Sequence, residues 1–336
     1  MRLSFGLWYD FRNPAPWRQP WDHLYQETLD QVAWADALGF DSVWLSEHHF
    51  TDDGYLPALF PMLAALAMRT SRLRLGTAVL LAPLHHPLRL AEDAAVVDVL
   101  SGGRLELGLA PGYRAKEFAL LGVPRAERGR RTDETIEVVQ AAWRGQPFSY
   151  RGRCFQFDDA VVTPPPLQRP HPPIWVGGSS RASAERAGRH GCHFLPDGDA
   201  PAELYEHYRA ELAANGHDPA RFSVATTQAI HVCEDPERAW QEVKEHYRYM
   251  ANRYRQWYAT TPEAAATGLL THADELARGD YLVGTPEMVT AGITRLRHQF
   301  PFDRLIFWAR PPGLPIDRST RSLELFAQEV LPHFAG

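Results

Sequence analysis

The sequence predicts an α/β protein, a closed (β/α)8 barrel of the TIM type, and three observations carry that prediction. Strand-like and helix-like segments alternate from the first residues, the pattern of a parallel sheet with crossover helices. Eight strand segments can be counted, which suits closure better than an open doubly wound sheet. The run Val43-Trp44-Leu45-Ser46-Glu47-His48-His49-Phe50 passes from an apolar strand straight into an acid and two imidazoles. In such a barrel the C-terminal ends of the strands are where chemistry is done. The 336 residues are expected to form one domain, 1–336, carrying insertions.

Strand one spans 2–8, and an amphipathic helix over 22–38 is closed by Gly39. Strand two is 41–46, followed by a helix from Pro57 to Thr70 with proline in its first turn. Strand three runs from Leu73 to Leu80, and Pro87 opens a helix that ends at Ser101-Gly102-Gly103. Strand four is Arg104 to Leu109, and a long helical stretch then reaches Trp143. Residues 147–173 interrupt the rhythm. There Phe148-Ser149-Tyr150 and Cys154-Phe155-Gln156-Phe157 flank Arg151-Gly152-Arg153 as a hairpin, and a proline-rich return follows. Strand five is Ile174 to Val176, with a helix to about Gly191; strand six is Cys192 to Leu195; strand seven is Ser223 to Val232. A helix from Pro236 to about Tyr258 leads to 259–283, whose weak periodicity and run Ala264-Ala265-Ala266-Thr267-Gly268 suggest a mobile lid. A helix from Pro286, strand eight at 304–308 and a helix from Asp317 to Phe334 complete the barrel.

A formal net charge of −6 argues against nucleic acid and acidic membrane as partners. Cys154, Cys192 and Cys233 are far apart and lack metal-ligand spacing, so they read as small buried hydrophobes in a reducing compartment. With no signal-peptide core and no membrane-length apolar run, a cytoplasmic protein is expected.

Candidate chemistry sits at the strand ends. Adjacent strand residues point to opposite faces, so His48 and His49 do not both enter a barrel centre while the strand persists. A barrel metal hydrolase would prefer His-x-His, whereas this chain has His-His at 48–49 and again at 85–86, and no metal centre is expected. Gly177-Gly178-Ser179-Ser180 lies between a strand and a helix, where free N–H groups and the helix dipole bind phosphate. The same four residues serve equally well as a tight turn with a serine N-cap. Gly76-Thr77-Ala78-Val79 and Gly108-Leu109-Ala110-Pro111-Gly112-Tyr113 put small residues at neighbouring strand ends. They either leave room for a large flat molecule or satisfy packing inside a narrow barrel.

In order along the chain, Gly39 to Phe50, Leu75-Gly76-Thr77-Ala78, His86-Pro87-Leu88-Arg89, Ser101-Gly102-Gly103-Arg104, Val283-Gly284-Thr285-Pro286 and Leu323-Glu324-Leu325-Phe326 resemble the bacterial luciferase-like flavin-dependent monooxygenases. The resemblance implies a flavin ring near His48, Ala78, Val79 and Ala110, with Gly112 and Tyr113 in the cofactor wall, and a cis peptide joining Ala78 and Val79. It places the phosphate on Gly178, Ser179, Ser180 and Ser183. Pro111 stands where the luciferases carry a phosphate-binding arginine, which leaves Arg114 or Arg181 to compensate. Ala110 stands where luciferase has a reactive cysteine.

What the resemblance implies is a two-component monooxygenase. Reduced FMN takes up O2 at C4a to oxygenate a small organic substrate, and a separate NAD(P)H-dependent flavin reductase supplies the cofactor. His48 is the expected general acid/base, with Glu47 or His49 to orient it or line the pocket. Tyr254, Trp257, Tyr258 and the lid would exclude water, although the aromatic run over 247–258 reads equally as core packing. A homodimer is also implied. The rival readings are an F420-dependent oxidoreductase on the same barrel, a non-catalytic flavin-binding barrel and, third, a metal-dependent hydrolase.

Overall fold

The first strand, β1 (Ser4–Tyr9), lies inside the sheet and pairs in parallel with both the second and the last barrel strands. The structure, a computed structural model, describes residues 2–198, 200–259 and 268–335. From β1 the chain passes through α1 (Trp21–Ala35), β2 (Ser42–Leu45), α2 (Leu59–Arg69), β3 (Arg74–Thr77), β4 (Leu80–Leu81) and α3 (Pro87–Leu100). Next come β5 (Leu105–Ala110), α4 (Ala115–Leu120), α5 (Arg128–Ala142), the hairpin β6 (Phe148–Arg151) and β7 (Gln156–Ala160), β8 (Ile174–Gly177) and α6 (Arg181–Arg189). The rest is β9 (His193–Leu195), α7 (Ala202–Ala214), β10 (Ala225–Gln228), β11 (Ile230–Val232), α8 (Pro236–Tyr258), β12 (Leu282–Gly284), α9 (Pro286–Gln299), β13 (Arg304–Trp308) and α10 (Ile316–Leu325).

Eight strands run β10-β13-β1-β2-β3-β5-β8-β9 in parallel, and a parallel bridge from Phe194 to Val224 brings the two ends together. The predicted barrel is therefore present. Its outer layer buries the apolar stripes of the helices against the strands, with Leu63 and Leu66 of α2, Ala94 and Val97 of α3 and Ile136 and Val139 of α5 in one core.

The barrel interior is filled by Trp8, Trp44 and Trp175 with Leu195, Ala225 and Ile306. The Arg304 guanidinium lies over the rings of Trp44 and Trp175, and Glu106 ties Arg304, Arg74 and the Trp175 indole together. So large a plug requires glycine beside it. A Cβ on Gly76 would sit 2.2 Å from the Trp44 ring, and one on Gly6 would sit 2.7 Å from the indole nitrogen. A Cβ on Gly108 would meet the Thr77 carbonyl oxygen at 2.0 Å. For Gly76 and Gly108 the packing reading of the small strand-end residues is the right one.

Several boundaries differ from the sequence expectation. Strand three breaks between Thr77 and Leu80, where the Ala78–Val79 peptide is cis. The long helix before Trp143 is two helices, interrupted where Gly122 takes φ +67° and Pro124 follows. Strand seven splits after Gln228, because Ile230–Val232 leaves the barrel to pair with Leu282–Gly284. The hairpin expected within 147–173 forms as an antiparallel pair. Of the expected lid, 268–283 carries two short 3-10 turns, Ala273–Glu275 and Arg278–Asp280, and the run Ala264 to Thr267 lies outside the described residues. Among the described residues no helix is long and apolar enough to cross a membrane.

Gly76→Ala tests the plug directly. Overpacking against Trp44 is expected to cost about 1–3 kcal/mol, read as a lower urea midpoint with an unchanged slope. An unchanged midpoint would show that the Trp44 ring has room to move.

Candidate active site

The C-terminal mouth of the barrel opens into a cavity of about 460 Å³. Its wall is assembled from the ends of successive strands and the turns that follow them: Trp8 near the end of β1, Ser46 to His48 after β2, Ala78 and Val79 after β3, Ala110 to Tyr113 at and after the end of β5, and Gly177 to Ser180 at and after the end of β8. Ser183, Leu195, Asp197 and Thr227 continue the circle, and Tyr55, Tyr254 and Tyr258 close over it. All nine residues expected to touch a cofactor line this cavity: Ala78, Val79, Ala110, Gly112, Tyr113, Gly178, Ser179, Ser180 and Ser183. Of the three catalytic candidates, Glu47 and His48 line it, and His49 turns away.

β2 ends at Leu45, and Ser46 pins its end by accepting from the Trp8 indole at 2.7 Å and bonding the Tyr55 hydroxyl at 2.7 Å. Beyond Ser46 the chain is no longer a strand, so His48 and His49 part company. Phe50 takes a left-handed backbone, φ 55°, which ends the turn.

His48 is buried, and its ring packs edge-on to Tyr55 and against Trp257, with centroids 4.7 Å away in each case. Its Nδ1 lies 2.9 Å from Oε1 of Glu117 in α4. The group that orients the ring is therefore Glu117; of the two residues expected to orient it or line the pocket, Glu47 does the latter and His49 neither. The same oxygen accepts from the His49 amide at 2.9 Å and from Nη1 of Arg114 at 2.7 Å. Burial pushes the Glu117 carboxyl up, but His48, the His49 amide and Arg114 more than offset this and hold it ionised. Burial pushes the His48 pKa down and outweighs the opposing pull of Glu117. A neutral imidazole donating from Nδ1 to Glu117 leaves the Nε2 lone pair facing the cavity, 3.5 Å from the Tyr113 hydroxyl.

Glu47 belongs to a second cluster. Its Oε1 meets Nε2 of His49 and Nε2 of His85, each at 2.9 Å, and its Oε2 accepts from the Leu81 amide at 2.7 Å. Sequence spacing alone did not bring His85 to this strand end; the short turn after β4 does. Burial pushes the Glu47 carboxyl up, yet His85 and His49 pull it down to about 2.

The other end of the cavity carries the glycine–serine turn expected to take an anion. Gly178 takes φ +116°, and a Cβ on Gly177 would strike the Val79 side chain at 2.6 Å, so glycine is needed at both positions for the turn and its packing against Val79. Ser180 caps α6 by accepting from the Ser183 amide at 3.2 Å, and the two hydroxyls lie 3.0 Å apart. Ser179 is turned toward Asp197, 3.1 Å from its carboxylate. Neither of the arginines expected to replace the missing cation lines the cavity. Arg114 is buried between Glu117, the His49 carbonyl and the Trp257 ring, while Arg181 is exposed and paired with Glu185. Arg128, at the start of α5, lines the cavity instead. In the sequence it belongs to the run Arg128-Gly129-Arg130-Arg131, which the following Asp133 and Glu134 give the look of a solvated helix start.

The aromatic run of α8 divides. Tyr247 and Met250 pack in a satellite core, whereas Tyr254 faces the cavity, Trp257 covers His48 and Tyr258 stacks on Tyr113 with centroids 4.4 Å apart.

A model of the luciferase-like monooxygenase family matches residues 4–304. The chain belongs to that family. It is 29% identical over 341 residues to the oxygenase component of the flavin-dependent trigonelline monooxygenase of Acinetobacter baylyi, covering 95% of this chain and 92% of that one. The crystal structure of the monooxygenase RslO1 from Streptomyces bottropensis superimposes with a TM-score of 0.87 at 31% identity, covering 99% and 100% of the two chains. Shorter matches reach both cofactor branches. One is to the FMNH2-dependent dimethylsulfone monooxygenase of Pseudomonas putida, 34% identical over 60% of this chain and 56% of that one. The other is to the F420-dependent glucose-6-phosphate dehydrogenase of Microbacterium testaceum, 35% identical over 53% of this chain and 54% of that one.

The depressed Glu47 pKa has a consequence for stability. A carboxyl lowered on folding stabilises the protein fully above its ordinary value of 4.5, and the contribution fades as pH falls toward about 2. The advantage of the parent over Glu47→Gln in urea unfolding should therefore narrow steadily below about pH 4.5. A difference independent of pH across that window would mean that folding does not lower the Glu47 pKa.

Proposed function

We propose that this flavin-dependent oxygenating enzyme is the oxygenase half of a two-component monooxygenase that takes up reduced FMN, with O2 and a small organic substrate as co-reactants. The observation that supports it best is the joining, in one cavity, of the glycine–serine turn with Arg128 at one end and an imidazole held by Glu117 at the other. The Gly178 turn, Ser180, Ser183 and Arg128 would hold the phosphate. The wall of Ala78, Val79, Ala110 and Gly112 offers a flat surface of small residues for the ring. Bound reduced FMN would supply the electron pair that activates O2.

The protein's own contribution is proton control and exclusion of water. His48 is the group to accept or return a proton at Nε2, with Glu117 fixing the ring through Nδ1. Tyr55, Tyr113, Tyr254 and Tyr258 wall off the reacting end. A second cavity of about 450 Å³, lined by Tyr247, Met250, Tyr281, Phe300 and Trp308, shares Thr227 and Tyr254 with the first and offers the organic substrate a largely apolar approach. A separate NAD(P)H-dependent flavin reductase would supply the cofactor. Exposed Met68 on α2 and Val96, Val99 and Leu100 on α3 offer an apolar face for a homodimer.

F420-dependent hydride transfer is the second reading, supported by the F420-dependent relative and by Pro111. An anaerobic titration separates the two. Reduced FMN should bind more tightly than oxidised FMN or F420, and O2 added to the reduced complex should give an absorbance change. Arg128→Ala should weaken reduced FMN by about 10- to 100-fold, the worth of a lost charge-assisted hydrogen bond, and Ser180→Glu by at least as much. Tight F420 binding with none of reduced FMN would overturn the cofactor assignment. Unchanged affinity in both variants would move the phosphate elsewhere.

A further inference from the structure

We infer that Glu47, His49 and His85 form a binding site for a divalent transition-metal ion of the zinc class, beside the flavin cavity and independent of the flavin. The three come from two turns, 46–50 after β2 and 82–86 after β4, and their ligand atoms all lie within 4.8 Å of one another. Two imidazole nitrogens and one carboxylate oxygen make a donor set that suits zinc and its first-row neighbours.

The arrangement around the trio is that of a held site. Glu47 is buried, and its second oxygen is occupied by the Leu81 amide, so Oε1 is aimed between the two imidazoles. Such outer hydrogen bonding orients a ligating carboxylate. The side chains of His49 and His85 are 16% and 29% exposed, which gives an ion an entry route and leaves room for water at the remaining positions. Charge also favours a cation. Glu47 brings a carboxylate to the trio, and Asp93 adds to the negative field at His85.

The present spacing is that of hydrogen bonds, 2.9 Å from Oε1 to each Nε2. Metal–ligand bonds of about 2.0–2.2 Å in a tetrahedral site need ligand atoms about 3.3 Å apart. Each ring must therefore withdraw by a few tenths of an ångström, which partly exposed side chains at turns can do. The ion would displace any protons shared in the cluster and cross-link the two turns.

Chelator-treated protein, without flavin, is titrated with Zn2+ in competition with a chromophoric chelator and separately with Co2+ by visible absorbance. One ion per chain is expected, with Co2+ bands typical of nitrogen and oxygen ligands and a melting temperature raised by Zn2+. His85→Gln keeps a donor toward Glu47 but removes the imidazole, and His49→Ala removes the other nitrogen ligand. Each should weaken the site by at least about 100-fold, more than is usual for an outer-shell change, while retaining the parent circular dichroism. Absence of Zn2+ binding by the parent, or equal binding and equal thermal response in parent and His85→Gln, would overturn the site and leave a hydrogen-bonded cluster. If one variant fails to fold, the other or Glu47→Gln takes its place, and a folded variant that binds Zn2+ as the parent does overturns the site.

Discussion

A single buried carboxylate, Glu117, decides how the mouth of this barrel is organised. One of its oxygens accepts from the His48 ring, the His49 amide and the Arg114 guanidinium at once. Removing such a charge would leave a buried arginine unpaired, the situation that makes breaking an interior ion pair cost several kcal/mol. The contact also spans two βα connections, so the turn after β2 cannot shift without α4. The imidazole is thereby held in a fixed orientation before any ligand arrives, which is what positioned proton transfer requires.

That arrangement rests on the barrel below it. Trp44 and Trp175 fill the interior, and Gly6 and Gly76 make space for the Trp44 ring. With the interior closed, the next layer of side chains, Ala78, Val79 and Ala110, becomes the floor of a cavity. The glycines therefore serve packing and the alanines serve the pocket, a division of labour set by depth along the strands.

Much of this was legible in the sequence. The alternation of periods gave the barrel, and the apolar run into Glu47-His48-His49 located the mouth. The residues expected at the phosphate and ring all came to one cavity because they follow strands of one parallel sheet. What escaped was contact across connections. Glu117 lies 69 residues from His48, and only the Arg114–Glu117 spacing on one helix face hinted at a buried pair. Arg128 was hidden because a cation in a charged helix start looks the same whether it faces water or a cavity. His85 met Glu47 through a tight turn that periodicity does not resolve. The split of strand seven likewise depended on β12, a partner that lies 50 residues further on by the Val232–Leu282 separation.

The account turns on the state of His48, and 15N NMR of the histidine ring nitrogens reads that state directly. With the His48 signal assigned by its loss in His48→Gln, the account predicts a neutral ring at pH 7 that carries its proton on Nδ1, and loss of that tautomer preference in Glu117→Ala. A His48 protonated on both nitrogens at pH 7, or carrying its proton on Nε2 in the parent protein, would contradict it.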